Sequence, residues 1–135
     1  MYHSGTRLLN DIKLDKDAIA AILFTSGTTG VSKGVCLSQY NICFDVVSVL
    51  SVVKVNPTDN CLSVLPVHHT YECTVGFFAF IYSGGCISFS RGLRYIMQDM
   101  KEIQPTIFVT VPLMLEKFHA RIVKKISAKT AGSAI

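Results

Sequence analysis

The sequence predicts an α/β fold of alternating strand and helix units, with a mainly parallel sheet flanked by helices. Three observations predict it. Short apolar runs at residues 18–24, 61–65, 86–89 and 106–111 have the length of buried strands. The stretches between them are longer and carry helix start and stop signals. The connections are short, which favours right-handed crossovers between parallel strands.

The elements follow in order. Residues 1–17 read as a lead-in, and residues 18–24 as a buried strand. Ser38 is a candidate N-cap for a helix reaching about residue 54. Val46, Val47, Val49, Val52 and Val53 argue for a strand there, but buried strands rarely run so long. Asn56-Pro57-Thr58-Asp59-Asn60 is a turn, and residues 61–65 form a strand stopped by Pro66. An apolar helix starting at Thr70 or Tyr71 runs to Ser83, closed by Gly84-Gly85. Residues 86–89 form a strand, 95–103 a helix and 106–111 a strand. Pro112 suits the first turn of a last helix reaching about residue 126. The order is β-α-β-α-β-α-β-α. Ligands of such sheets bind beyond the carboxyl ends of the strands, so the loops leaving strands 18–24 and 61–65 are expected on one edge.

Composition narrows the class. At 135 residues the chain is one domain at most. Half of its residues are hydrophobic and 16% charged, so little polar residue is left for a surface. Its faces are expected to pack against more protein, and the chain alone to self-associate. The net charge of +4 is mild and gathers partly in Arg121, Lys124, Lys125 and Lys129, with no basic stripe interleaved with aromatics for nucleic acid. These lysines and His119 read as a solvated face. Cys36, Cys43, Cys61, Cys73 and Cys86 contain no C-x-x-C pair, which supports neither a disulfide framework nor a zinc site. Reduced cysteines filling apolar space imply a cytosolic compartment. The start carries Asp11, Asp15 and Asp17 and no apolar signal core. The longest apolar stretch, residues 75–82, is too short to span a bilayer.

The chemistry is concentrated in Thr25-Ser26-Gly27-Thr28-Thr29-Gly30-Val31-Ser32-Lys33-Gly34, which follows the first strand. Gly27 and Gly30 can adopt positive φ and turn backbone N–H groups inward. Four hydroxyls add donors and Lys33 adds a full charge. This is the donor set of a polyphosphate binder. It is not a Walker A loop, because Ser32 stands where the second glycine belongs and Gly34 follows the lysine. The bland alternative is a polar surface loop with a stray lysine.

The stretch Thr25 to Gly34 resembles the phosphate loop of the adenylate-forming, AMP-binding enzymes. One departure is Ser32, where that family usually has proline; the change frees one φ but removes no phosphate donor. Leu65-Pro66-Val67-His68-His69-Thr70-Tyr71-Glu72 is similar to the family's Leu-Pro-Leu-x-His stretch, with His69 on the family histidine. The glutamate that closes it resembles the long-chain fatty acyl-CoA synthetase branch, although Cys73 follows where that branch often has arginine. Gln104-Pro105-Thr106 through Val111-Pro112 to Glu116-Lys117 is similar to a third family segment. The resemblance spans about residues 15–126.

It implies an ATP-dependent acyl-CoA synthetase that makes an acyl-adenylate before transfer to coenzyme A, with ATP, Mg²⁺ and coenzyme A as its small-molecule partners. Thr25, Ser26, Gly27, Thr28, Thr29, Gly30 and Lys33 would hold the β- and γ-phosphates, and Thr25 would approach Mg²⁺. His69 would lie near the α-phosphate and the acyl carboxylate, with His68 and Tyr71 beside it. For His69 the alternative is a helix-terminal histidine satisfied by a backbone carbonyl. Glu72 is expected to serve the helix start through the macrodipole. Phe77, Phe78 and Phe80, at helical spacing, read as core before they read as an acyl tunnel. The family's Tyr-Gly-x-Thr-Glu, Thr-Gly-Asp and C-terminal lysine segments do not stand in this chain. The catalytic set is therefore expected to be incomplete. The chain is read as a single partial AMP-binding domain, core about 15–126, with residues 127–135 a flexible tail. Two other functions fit the same loop: an adenylation enzyme that loads a carrier protein, and a non-catalytic nucleotide-binding module.

Overall fold

The computed structural model describes residues 12–26 and 30–132. It divides into two compact units, Met1–Lys54 and Val55–Ile135. Its strand and helix mixture, with parallel pairing in the second unit, makes the fold α/β.

The first unit is a hairpin and a helix. Strand β1, Ile19–Ser26, pairs antiparallel with β2, Ser32–Ser38, through an irregularity between Ile19 and Ala21. Helix α1, Gln39–Val52, follows at once. Ser38 caps it as expected: its Oγ accepts from Asn41 N at 3.2 Å, and Asn41 Oδ1 accepts from Ser38 N at 3.0 Å. Such a reciprocal cap is worth roughly 1 kcal/mol. It helps this valine-rich segment to be helical against its β propensity.

Strand β2 corrects the expected order. The first strand was expected beside others of a parallel sheet, yet its ladder partner is the segment immediately downstream. Ser32-Lys33-Gly34 has weak strand propensity. Gly34 is tolerated because Phe24 lies opposite it, with the Phe24 ring 3.5 Å from where a Gly34 Cβ would be. An aromatic ring over a cross-strand glycine restores the contact that the glycine lacks.

The second unit opens on the Asn56–Asp59 turn, where Asp59 Oδ2 accepts from Asn56 N at 2.7 Å. Strand β3, Asn60–Ser63, lies parallel to β4, Cys86–Phe89, with Cys61 opposite Ile87. Residues 106–111, expected as a full strand, make one parallel bridge, Ile107 to Cys61. Side chains take over the start of that ladder: Thr106 Oγ1 accepts from Asn60 N at 3.0 Å and Asn60 Oδ1 accepts from Thr106 N at 2.7 Å. Pro112 then begins the last helix. The core is Cys61, Phe80 and Val109, packed against Val55, Leu65, Val75, Ile87 and Ile107. Burial pushes the Cys61 thiol up to about 11, which suits a packing group and not a nucleophile.

The helix expected from residue 70 has two parts. Glu72–Phe78 winds as a π-helix, and α2, Ala79–Ser83, continues it. Gly84 closes it at φ 74°, with Gly85 N donating to Phe80 O at 2.9 Å. Helix α3, Ile96–Ile103, follows, and helix α4 runs Pro112–Gly132, past the expected end near residue 126. Phe118 of α4 meets Phe108 at a ring separation of 6.0 Å. His119, Arg121, Lys124 and Lys125 are exposed. Among the described residues no helix is long and apolar enough to cross a membrane. Large hydrophobic residues are exposed in both units, Phe24 at 76% and Tyr82 at 71% among them.

The loop between β4 and α3 is organised by Asp99, which is 2% exposed. Its Oδ2 accepts from Ser90 Oγ at 2.8 Å and Arg91 N at 3.0 Å, and its Oδ1 from Arg91 Nε at 2.6 Å. Burial alone would raise its pKa; the Ser90 and Arg91 bonds and the Arg91 charge outweigh burial and hold the carboxyl below its usual value. With the folded pKa depressed, the unfolded chain takes up the proton first. The stability Asp99 contributes is present above the unfolded pKa of about 3.9 and is lost as pH falls through the folded value. Urea unfolding of the chain should show a midpoint that falls as acid is added below about pH 4. Asp99→Asn should lower the midpoint at neutral pH and flatten that acid limb. An unchanged acid limb would show that Asp99 is not its source.

Candidate functional site

Of the expected phosphate-loop residues, Thr25 and Ser26 end β1, and Lys33 lies at the start of β2. Thr25 pairs with Lys33 and Ser26 with Ser32. Directly opposed residues of an antiparallel pair share a face, so the Thr25 hydroxyl and the Lys33 ammonium lie on the same side of the ribbon. Leu23 and Val35 precede them on that side, and the Phe24–Gly34 pair is on the other. Gly27, Thr28 and Thr29 lie outside the described residues. Gly30 has φ +78°, with nothing among the described residues within 4 Å of where its Cβ would stand. Only glycine adopts that φ without cost.

Thr25, Ser26, Gly30 and Lys33 are all exposed. No carboxylate among the described residues pairs with Lys33. Its charge is therefore not spent on an ion pair among the described residues. The hairpin explains a spacing that the sequence shows only as a string. Eight residues from Thr25 to Lys33 bring a hydroxyl and an ammonium level across two strands.

The histidine stretch belongs to the second unit. Pro66 ends the strand, and His69 N donates back to Pro66 O at 2.9 Å, closing a tight turn. The His68 and His69 rings lie 4.6 Å apart, tilted by 39°. Both are exposed, and Tyr71 is 49% exposed. His69 O accepts from Cys73 N at 2.9 Å, so His69 opens the helical segment. The structure thus gathers Thr25, Ser26, Gly30 and Lys33 in one unit, and His68, His69 and Tyr71 in the other.

Glu72 stands in the first turn of the helical segment as expected, but not as an exposed charge. It is 1% exposed, and its Oε1 accepts from Ser63 Oγ at 2.5 Å. Oε2 is buried with no partner among the described residues. Burial pushes the Glu72 pKa up, and the Ser63 bond opposes that shift. Sequence reasoning missed this group because a glutamate at a helix start has an ordinary electrostatic explanation. Ser63, one residue type in an apolar strand, was the available signal. Phe80 is core at 1% exposure, whereas Phe77 and Phe78 are half-buried with rings 5.4 Å apart.

Mg²⁺ accepts a neutral hydroxyl oxygen alongside phosphate oxygens and waters. Exposed Thr25, level with Lys33, fits that role for a cation that arrives with a polyphosphate. Among the described residues no three His, Cys, Asp or Glu side chains group to hold a metal by themselves.

A family model described as AMP-binding enzyme matches residues 4–134. The chain is 38% identical over 129 residues to a chloroplastic long-chain-fatty-acid–[acyl-carrier-protein] ligase of Arabidopsis thaliana, covering 96% of this chain and 18% of that one. It is 36% identical over 119 residues to long chain acyl-CoA synthetase 2 of the same plant, covering 84% and 18%. The o-succinylbenzoate coenzyme A synthetase of Bacillus subtilis, solved in complex with ATP and magnesium ion, matches with a TM-score of 0.68 at 25% identity, over 79% of this chain and 24% of that one. The chain spans 18% of the length of the two curated relatives.

Proposed function

The chain belongs to the AMP-binding enzyme family, and from that premise we propose that it serves an ATP-dependent ligase activating a long-chain fatty acid. The observation that carries the proposal is the signature stretch from Thr25 to Gly34, folded so that Lys33 stands level with Thr25. Two long-chain fatty acid relatives support the substrate class.

In the proposed reaction a fatty carboxylate oxygen bonds to the α-phosphorus of ATP. The bond to the bridging oxygen breaks, and pyrophosphate leaves with the electron pair. Little covalent work falls to the protein in such a step, so its task is to position groups and offset charge. Lys33 neutralises charge growing on the departing pyrophosphate. Thr25, Ser26 and the loop amides donate hydrogen bonds to its oxygens. Mg²⁺, carried in with the phosphates, would add charge neutralisation beside Thr25. His69 orients the carboxylate, with His68 and Tyr71 flanking it. A thiol then attacks the acyl carbon and AMP leaves.

Coenzyme A is the proposed thiol. A second reading, transfer to an acyl-carrier protein, is favoured by the name of the 38% identical Arabidopsis relative. The five cysteines are free, which supports a reducing compartment such as the cytosol.

The test is palmitate-dependent exchange of labelled pyrophosphate into ATP by the whole protein. Coenzyme A and a phosphopantetheinylated carrier protein are then compared as acceptors. Exchange followed by acyl-CoA formation is expected. Acyl transfer to the carrier alone would select the second reading. Absence of exchange with every carboxylic acid tried would leave only a nucleotide-binding module.

A further inference from the structure

A carboxylate at 1% exposure is rare without a cation, and no cation among the described residues pairs with Glu72. What surrounds it instead is a fitted seat. Ser63 Oγ, at the end of β3, donates to Oε1 at 2.5 Å. On the other side stands Gly76. A Cβ there would lie 2.6 Å from Glu72 Cδ and from Oε1, and 2.8 Å from Oε2. No real Cβ comes so close, so the carboxyl occupies the space a side chain at Gly76 would need.

Glu72 and Gly76 both lie in the π-helical segment Glu72–Phe78, in which Ala79 N reaches back five residues to Thr74 O. Segments of this winding are uncommon and concentrate at functional sites. They persist where surrounding contacts over-determine them. Here the contacts are the Ser63 bond and the bare Cα of Gly76. The turn leading into the segment is closed by Cys73 N donating to His69 O. His69 has no side-chain hydrogen bond among the described residues, and its backbone is held by this bond and by its own N–H to Pro66 O.

We infer that Glu72 is a positioning residue for His69: its carboxyl, braced between Ser63 and Gly76, fixes the start of the wide segment, and Cys73 N in that segment holds the His69 carbonyl. The inference rests on the proposed role of His69 in orienting the fatty carboxylate. Burial raises the carboxyl pKa, and the Ser63 bond opposes that rise.

The experiment compares Glu72→Gln, Glu72→Ala, Gly76→Ala and the double variant Glu72→Ala/Gly76→Ala. Amide hydrogen exchange at His69 and Cys73 is measured in the chain, and palmitate activation in the whole protein. Glu72→Gln keeps the shape and the acceptor for Ser63, so it should retain wild-type protection and activity. Glu72→Ala and Gly76→Ala should each lose protection at Cys73 and lower kcat/KM for palmitate on the order of tenfold, with KM for ATP unmoved. Gly76→Ala should add nothing once Glu72 is alanine, because the clash is gone. Glu72→Ala should likewise add nothing in a His69→Ala background, since a residue acting through another is silent in its absence. Should Glu72→Ala not fold, Gly76→Ala, which removes no polar group, carries the same comparison.

Unchanged exchange at Cys73 in Gly76→Ala would overturn the inference whatever the activity. So would full additivity of the Glu72→Ala and His69→Ala losses. A wild-type protein with no palmitate activation would defeat the proposed function instead, leaving the exchange arm to judge the brace alone.

Discussion

Lys33→Ala is expected to slow adenylation by about 2 to 4 kcal/mol at the transition state, the cost of losing one charge-assisted donor aimed at developing negative charge. Each 1.36 kcal/mol is about tenfold in rate, so the loss should be on the order of a hundredfold. The fold should survive. Lys33 is exposed, makes no ion pair among the described residues, and contributes only its backbone to the ladder opposite Thr25. Pyrophosphate exchange at saturating ATP is the measurement, because it removes ground-state ATP affinity from the comparison. Lys33→Arg separates charge from shape: a guanidinium keeps the charge but not the compact ammonium, so partial recovery is expected. If Lys33→Ala exchanges at the wild-type rate, the lysine is only a solvated loop residue.

His69→Ala should lower kcat/KM for the fatty acid by about ten- to a thousandfold, the range expected when a positioning contact to a reacting group is lost. ATP affinity should change far less. The structure makes this a clean substitution. His69 is exposed, its ring touches only the His68 ring among the described aromatic contacts, and the bonds to Pro66 O and from Cys73 N are backbone bonds that alanine keeps. Equal kinetics for the variant and the parent would return His69 to the role of a helix-terminal residue.

Both predictions concern residues visible in the sequence, because each sits in a dense local string. A lysine eight positions after a threonine, through glycines and hydroxyls, needs no tertiary information to suggest an oxyanion. The helix starts were legible for a similar reason. Ser38 caps α1 through Asn41, Gly84 ends α2 at positive φ, and Pro112 opens α4. Each is a short-range steric or hydrogen-bond rule read within about four residues.

Other features were hidden because their causes lie across the chain. Strand β2 contains a glycine and a lysine that speak against a strand, and its existence depends on β1 being there to pair with it. The parallel pairing at Ile107 is a single bridge, and just before it the Asn60 and Thr106 side chains take the backbone bonds. Nothing within residues 106–111 announces that.

By itself, then, the sequence determined the α/β class, the turn after Pro66 and most helix ends, since local propensity and capping decide those, and it showed the string of glycines, hydroxyls and lysine from Thr25 to Gly34. Tertiary structure decided that β1 and β2 pair antiparallel with Lys33 level with Thr25, and that Glu72 lies buried between Ser63 and Gly76 in a π-helical turn. Cross-strand register and the burial of a charged group depend on partners distant in sequence, whose packing outweighs the local preference of the residues concerned.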